Sequence, residues 1–92
     1  MGSIENQLNF VIERIKNVRL QKSISQLELS LRSHLSLSFI ASIETGKKQP
    51  SVLTLLKIAD ALEVSPRIFF PEYKNMSKRE IKDEIESLLA ML

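Results

Sequence analysis

The sequence has no cysteine, no tryptophan, one histidine, two glycines and three prolines in 92 residues. Without thiols there is no disulfide framework and no thiolate metal site, which fits a reducing compartment, so the cytoplasm is the expected location. So little glycine and proline leaves few positions for the tight turns of an all-β fold. His34 stands without a second histidine or a cysteine, and no glycine-rich phosphate loop occurs. These gaps remove the usual equipment of an enzyme, and no metal, cofactor or small-molecule ligand is implied. No uninterrupted apolar run approaches the length of a membrane span, and the first residues lack a basic segment followed by an apolar core. No membrane partner is therefore expected, and Met1 to Ser3, native or a cloning remnant, are set aside from the fold.

What is present suits one compact helical domain: 43% of the residues are hydrophobic and the net charge is +2. The charges are unevenly placed. Residues 1–57 carry eight basic and four acidic side chains, and residues 58–92 carry five basic and seven acidic ones. A basic front half with an acidic back half suits a polyanion on one side only, although a mixed solvated surface would give the same totals.

Apolar spacing divides the chain into helices. Leu8, Val11, Ile12, Ile15 and Val18 recur at three and four residues, as one face of a helix over about residues 6 to 21 requires. Arg19 follows Ile15 by four residues on that stripe, points partly inward and needs a partner. Ser25 with Glu28 three residues later forms a capping-box pattern for a second helix reaching about residue 32. Ser36 caps a third, with Phe39, Ile40 and Ile43 on one face and Gly46 as its stop. Ser51 caps a fourth, whose expected buried stripe is Val52, Leu55, Leu56, Ile58, Ala59 and Leu62. Ser65-Pro66 opens a short fifth helix, where Ile68, Phe69 and Phe70 close the core.

Two short helices joined by a tight turn, the second amphipathic, are what a helix-turn-helix needs. The run Ser25-Gln26-Leu27-Glu28-Leu29, then Ser36, Ile40, Ile43-Glu44 and Gly46, then Pro50-Ser51 and Ala61-Leu62-Glu63-Val64-Ser65, resembles the Cro/C1-type (XRE) helix-turn-helix family in residue types and spacing over residues 8 to 70. The resemblance implies an all-α, five-helix, lambda repressor-like domain whose third helix enters the major groove of double-stranded DNA. Its limits are taken as residues 6–70, with residues 71–92 as a C-terminal extension carrying an amphipathic helix.

At ~100° per residue, Leu37, Ser38, Ala41, Ser42 and Thr45 face outward from the third helix. The resemblance implies base contacts from Leu37, Ser38 and Ser42, with Ser36 and Thr45 beside them. It also implies a phosphate clasp at Gln26, where the amide joins the N-H groups of a helix start. Lys47, Lys48 and Arg32 are further candidates for phosphate contact. Arg19 and Glu44 are read as a structural pair locking the first helix to the third, as the family's equivalent pair does. His34 departs from the glycine common in the family's turn, and Ser30 from its small alanine. The outward face of the third helix has no Arg, Lys, Asn or Gln, so bidentate readout of guanine or adenine is absent there, and specificity leans on hydroxyls, methyl contacts and DNA shape.

Beyond the family core, Ser77 and Glu80 repeat the capping-box spacing before Ile81, Ile85, Leu88, Leu89 and Leu92, which share one face of a sixth helix. That stripe can fold back on its own domain, pair with a second subunit or bind another protein; a homodimer is the expectation. A DNA-binding regulator therefore stands against an antitoxin or adaptor whose C-terminal helix takes a different partner. Binding of single-stranded nucleic acid would call for exposed aromatics, whereas Phe39, Phe69 and Phe70 read as core, leaving Phe10 and Tyr73 unassigned.

Overall fold

The computed structural model describes residues 3–72 and 78–92, so the Ser77 cap and Tyr73 lie outside the described residues. The order is α1 Ile4–Gln21, α2 Gln26–Ser33, α3 Leu37–Glu44, α4 Val52–Leu62, a 3-10 turn Pro66–Phe69, and α5 Lys78–Ala90, with no strand among the described residues.

Each of the first four helices starts at a serine. The hydroxyls of Ser3, Ser25, Ser36 and Ser51 accept from the backbone N-H groups of Asn6, Glu28, Phe39 and Thr54. Ser3 therefore belongs to the fold, and α1 begins two residues earlier than its apolar stripe indicates, because the cap and not the stripe sets the start. The expected fifth helix is a single 3-10 turn, in which Ile68 N donates to Ser65 O at 3.1 Å and Phe70 N to Arg67 O at 3.2 Å.

The core is built from Val11, Ile15 and Val18 of α1, Leu29 of α2, Ile40 and Ile43 of α3, Leu55, Ile58 and Leu62 of α4, and Phe69. Two expectations fail at its edges. On α4, Val52 is 73% exposed and Leu56 48%, while Thr54 and Ala61 are buried instead. The buried arc is rotated toward the smaller side chains, and the Thr54 hydroxyl lies 2.9 Å from Ser51 Oγ. Phe70 is 49% exposed, because one 3-10 turn delivers a single aromatic ring to the core and that ring is Phe69.

The turn between α2 and α3 is tight. His34 caps α2 in the left-handed conformation at φ 60°, which glycine adopts more easily than histidine. The Ser30 hydroxyl donates to Leu35 O and the Ser33 hydroxyl to Leu29 O, so both polar groups facing the turn are satisfied. α5 stands apart, with no buried residue: Ile81, Ile85, Leu88, Leu89 and Leu92 are all at least 45% exposed. Among the described residues, no helix is long and apolar enough to cross a membrane.

Candidate nucleic-acid interface

α3 is fixed from below and open above. Ile40 and Ile43 are buried, Phe39, Ala41 and Ser42 are half-buried, and Leu37, Ser38 and Thr45 are exposed. The hydroxyls on this surface are not equivalent. Ser36 Oγ is engaged as the cap, accepting from Phe39 N, and lies 3.4 Å from Ser38 Oγ. Thr45 Oγ1 donates to Ala41 O at 3.0 Å, so its proton is committed to the backbone and its lone pairs face solvent. Ser38 and Ser42 remain as the hydroxyls with no helix-capping duty.

The end of α3 fixes the lysine pair. Gly46 turns the chain at φ 79°, and the N-H groups of Lys47 and Lys48 both donate to Ser42 O, at 2.9 and 3.1 Å. The Lys48 ammonium lies 5.8 Å from the centroid of the Phe39 ring, which holds it beside the start of α3. Both lysines are exposed.

Behind α3, Arg19 and Glu44 make a bidentate ion pair, Nε to Oε2 and Nη2 to Oε1, each 2.8 Å. Arg19 Nη1 donates to Ile24 O at 2.8 Å. The pair is buried, and its polar atoms are fully partnered. Gln26 Nε2 also donates to Glu44 Oε1, at 3.2 Å. No spacing rule in the sequence points to this third member; the signal available was only that Gln26 follows the α2 cap by one residue.

Arg32 is placed differently from the rest. Its Nη2 meets Glu28 Oε1 at 2.7 Å and its Nη1 lies 3.5 Å from Ala61 O, so the guanidinium turns toward α4. Gln26 and Ser30 occupy the opposite side of α2, toward α3 and the turn before it. The structure thus brings Gln26, Ser36, Leu37, Ser38, Ser42 and Thr45 around α2 and α3, with Lys47 just past the end of α3 and the Lys48 ammonium near Phe39, and leaves Arg32 off that surface. Phe10 lies on the exposed side of α1, where Arg14 sits 6.0 Å from its ring centroid and donates through Nε to Ile68 O.

This arrangement, a braced pair of short helices with one open outward face, coincides with a family model described as helix-turn-helix, which matches residues 15–69. The chain belongs to the helix-turn-helix family, of the Cro/C1 type. The family and the fold are those of DNA-binding regulators, not of enzymes. The crystal structure of the restriction-modification controller protein C.AhdI from Aeromonas hydrophila superposes with a TM-score of 0.66 at 32% identity, covering 72% of this chain and 98% of that one. The HTH-type transcriptional regulator YqaF of Bacillus subtilis is 32% identical over 69 residues, 75% of this chain and 91% of its own length. A second such regulator, y4dJ of Sinorhizobium fredii, is 40% identical over 48 residues, which is 52% of this chain and 62% of that relative.

Proposed function

We propose that this helix-turn-helix protein is a sequence-specific transcriptional regulator that binds double-stranded DNA as a homodimer, with α3 in the major groove of each half of a palindromic operator. The observation that carries this reading is the outward face of α3, a leucine and three hydroxyl-bearing side chains at Leu37, Ser38, Ser42 and Thr45, with Gln26, Lys47 and Lys48 at its margins. A groove reader needs this division, since the outward face of the inserted helix meets base edges while phosphates are held at its margins. The Ser38 and Ser42 hydroxyls contact base edges, Leu37 packs on a thymine methyl, and Gln26 with the lysines takes phosphates. Without long polar side chains on α3, much of the sequence preference comes from DNA shape.

Dimerisation is assigned to α5. Ile81, Ile85, Leu88 and Leu92 follow one another at four, three and four residues, the spacing of a coiled-coil seam, and Leu89 lies beside it. Burying each of these side chains against a partner is worth about 1.5 to 3 kcal/mol. Similarity to controller proteins and HTH-type regulators supports action in the cytoplasm through operator occupancy, with no effector ligand invoked. The full exposure of α5 also favours one second reading, an antitoxin or adaptor in which that stripe takes a different protein.

The test is selection of bound duplexes from a random pool by the purified protein. Enrichment of a palindromic site supports the regulator reading. Weak, salt-sensitive binding without enrichment contradicts it and turns attention to a protein partner at α5.

A further inference from the structure

Glu44 is an acceptor shared by two side chains of different fate. Its Oε1 receives both Arg19 Nη2 at 2.8 Å and Gln26 Nε2 at 3.2 Å, while Oε2 is filled by Arg19 Nε. The carboxylate side chain is 3% exposed and that of Arg19 8%, so this geometry is set inside the protein. Gln26 is half-buried and runs from that buried pair to the first turn of α2.

Beside a carboxylate the Gln26 amide has one favourable orientation, NH2 inward, because the flipped amide would oppose two acceptors. The second N-H of the same nitrogen is then left to point away from Glu44. Gln26 also opens α2, where its own backbone N-H and that of Leu27 have no acceptor within the helix. Arg19 matters to the sign of the field here: it neutralises Glu44, so an approaching phosphate meets an amide backed by a neutral pair and not by a bare carboxylate. Holding the amide in the free protein also removes rotamer freedom that would otherwise be lost on binding.

We propose that Glu44 is a positioning residue for DNA binding, which holds the Gln26 amide in the orientation that receives a DNA phosphate. This rests on the DNA-binding reading above, and gives the buried ion pair a task beyond joining α1 to α3.

The experiment compares wild type, Gln26→Ala, Glu44→Asp and the double variant for affinity on the selected duplex at one salt concentration, with thermal melting measured alongside. Aspartate keeps the charge opposite Arg19 and withdraws the carboxylate by one methylene. Each single substitution is expected to weaken binding by about tenfold, with Glu44→Asp still folded at the assay temperature, and the double variant to be no weaker than either single one. Penalties that multiply to about a hundredfold in the double variant overturn the proposal, since Glu44 would then act independently of Gln26. A Gln26→Ala protein that binds like wild type overturns it as well, whereas a wild type that binds no duplex overturns the DNA reading itself. If Glu44→Asp does not fold, the side-chain amide resonances of Gln26 in free wild type decide. One Gln26 side-chain amide proton shifted downfield of those of the exposed Gln49 and slower to exchange with solvent supports the proposal; two protons that match those of Gln49 in shift and exchange rate overturn it.

Discussion

Arg19 and Glu44, 25 residues apart in the chain, meet through two hydrogen bonds of 2.8 Å and tie α1 to the last turn of α3. Both side chains are buried, and the third guanidinium nitrogen is taken by Ile24 O. Removing one partner would strand a charge in a site built for two. Glu44→Ala is therefore expected to cost about 3 to 5 kcal/mol of folding stability, read by urea denaturation. A Glu44→Ala protein that melts like wild type would contradict this; if it also fails to bind DNA, Glu44 serves binding and not folding.

The α2 cap carries strain that can be relieved. His34 sits at φ 60°, where a Cβ is crowded and glycine is not. Glycine also loses more freedom on folding, so the net gain for His34→Gly is expected to be about 0.5 to 1 kcal/mol, visible as a higher melting temperature. A lower melting temperature would mean that the imidazole makes a compensating contact.

The cations divide into two groups by their surroundings. Lys47→Ala and Lys48→Ala should each reduce the slope of log K against log salt by about one, as loss of a phosphate contact does. Arg32→Ala should leave that slope unchanged, because its guanidinium is held by Glu28 at 2.7 Å and faces Ala61 O. Titrations at several salt concentrations separate the two outcomes, and a reduced slope for Arg32→Ala would return Arg32 to the interface.

α5 supplies a prediction about assembly. Truncation after Lys74 removes the whole exposed stripe and none of the buried core. Sedimentation velocity should show a dimeric full-length chain and a monomeric truncated one at the same concentration. A truncated chain that remains dimeric would assign the interface elsewhere, and the exposed Val52, Leu53 and Leu56 of α4 would be the first place to look.

The helical architecture was legible because local signals agree with the fold: serines stand at the caps of α1 to α4, and the stripe of α1 repeats at helical spacing. The Ser3 cap lies ahead of the apolar stripe that marks α1, so no periodic signal points to it. Periodicity gives the face of α4 but not the centre of its buried arc. Val52 and Leu56 border the buried arc, and periodicity alone does not place Thr54 and Ala61 inside in their stead. At the candidate site, helical angle gives the outward set on α3, but the bond from Gln26 to Glu44 joins residues 18 apart through a side chain whose reach no local pattern encodes. The same holds for Arg32, whose last-turn position on α2 does not reveal that Glu28 and Ala61 draw it toward α4.

α3, flanked by Gln26, is the surface expected to read DNA sequence. The most direct test is the ratio of affinities for the selected duplex and a scrambled duplex of equal length, measured for wild type and for the Gln26→Ala/Ser38→Ala/Ser42→Ala variant at one salt concentration. A ratio of about a thousandfold or more is expected for wild type, falling by about tenfold or more in the variant while both proteins melt alike, with the remainder read from DNA shape. A variant that keeps the wild-type ratio would contradict this, since sequence would then be read by some other surface of the molecule.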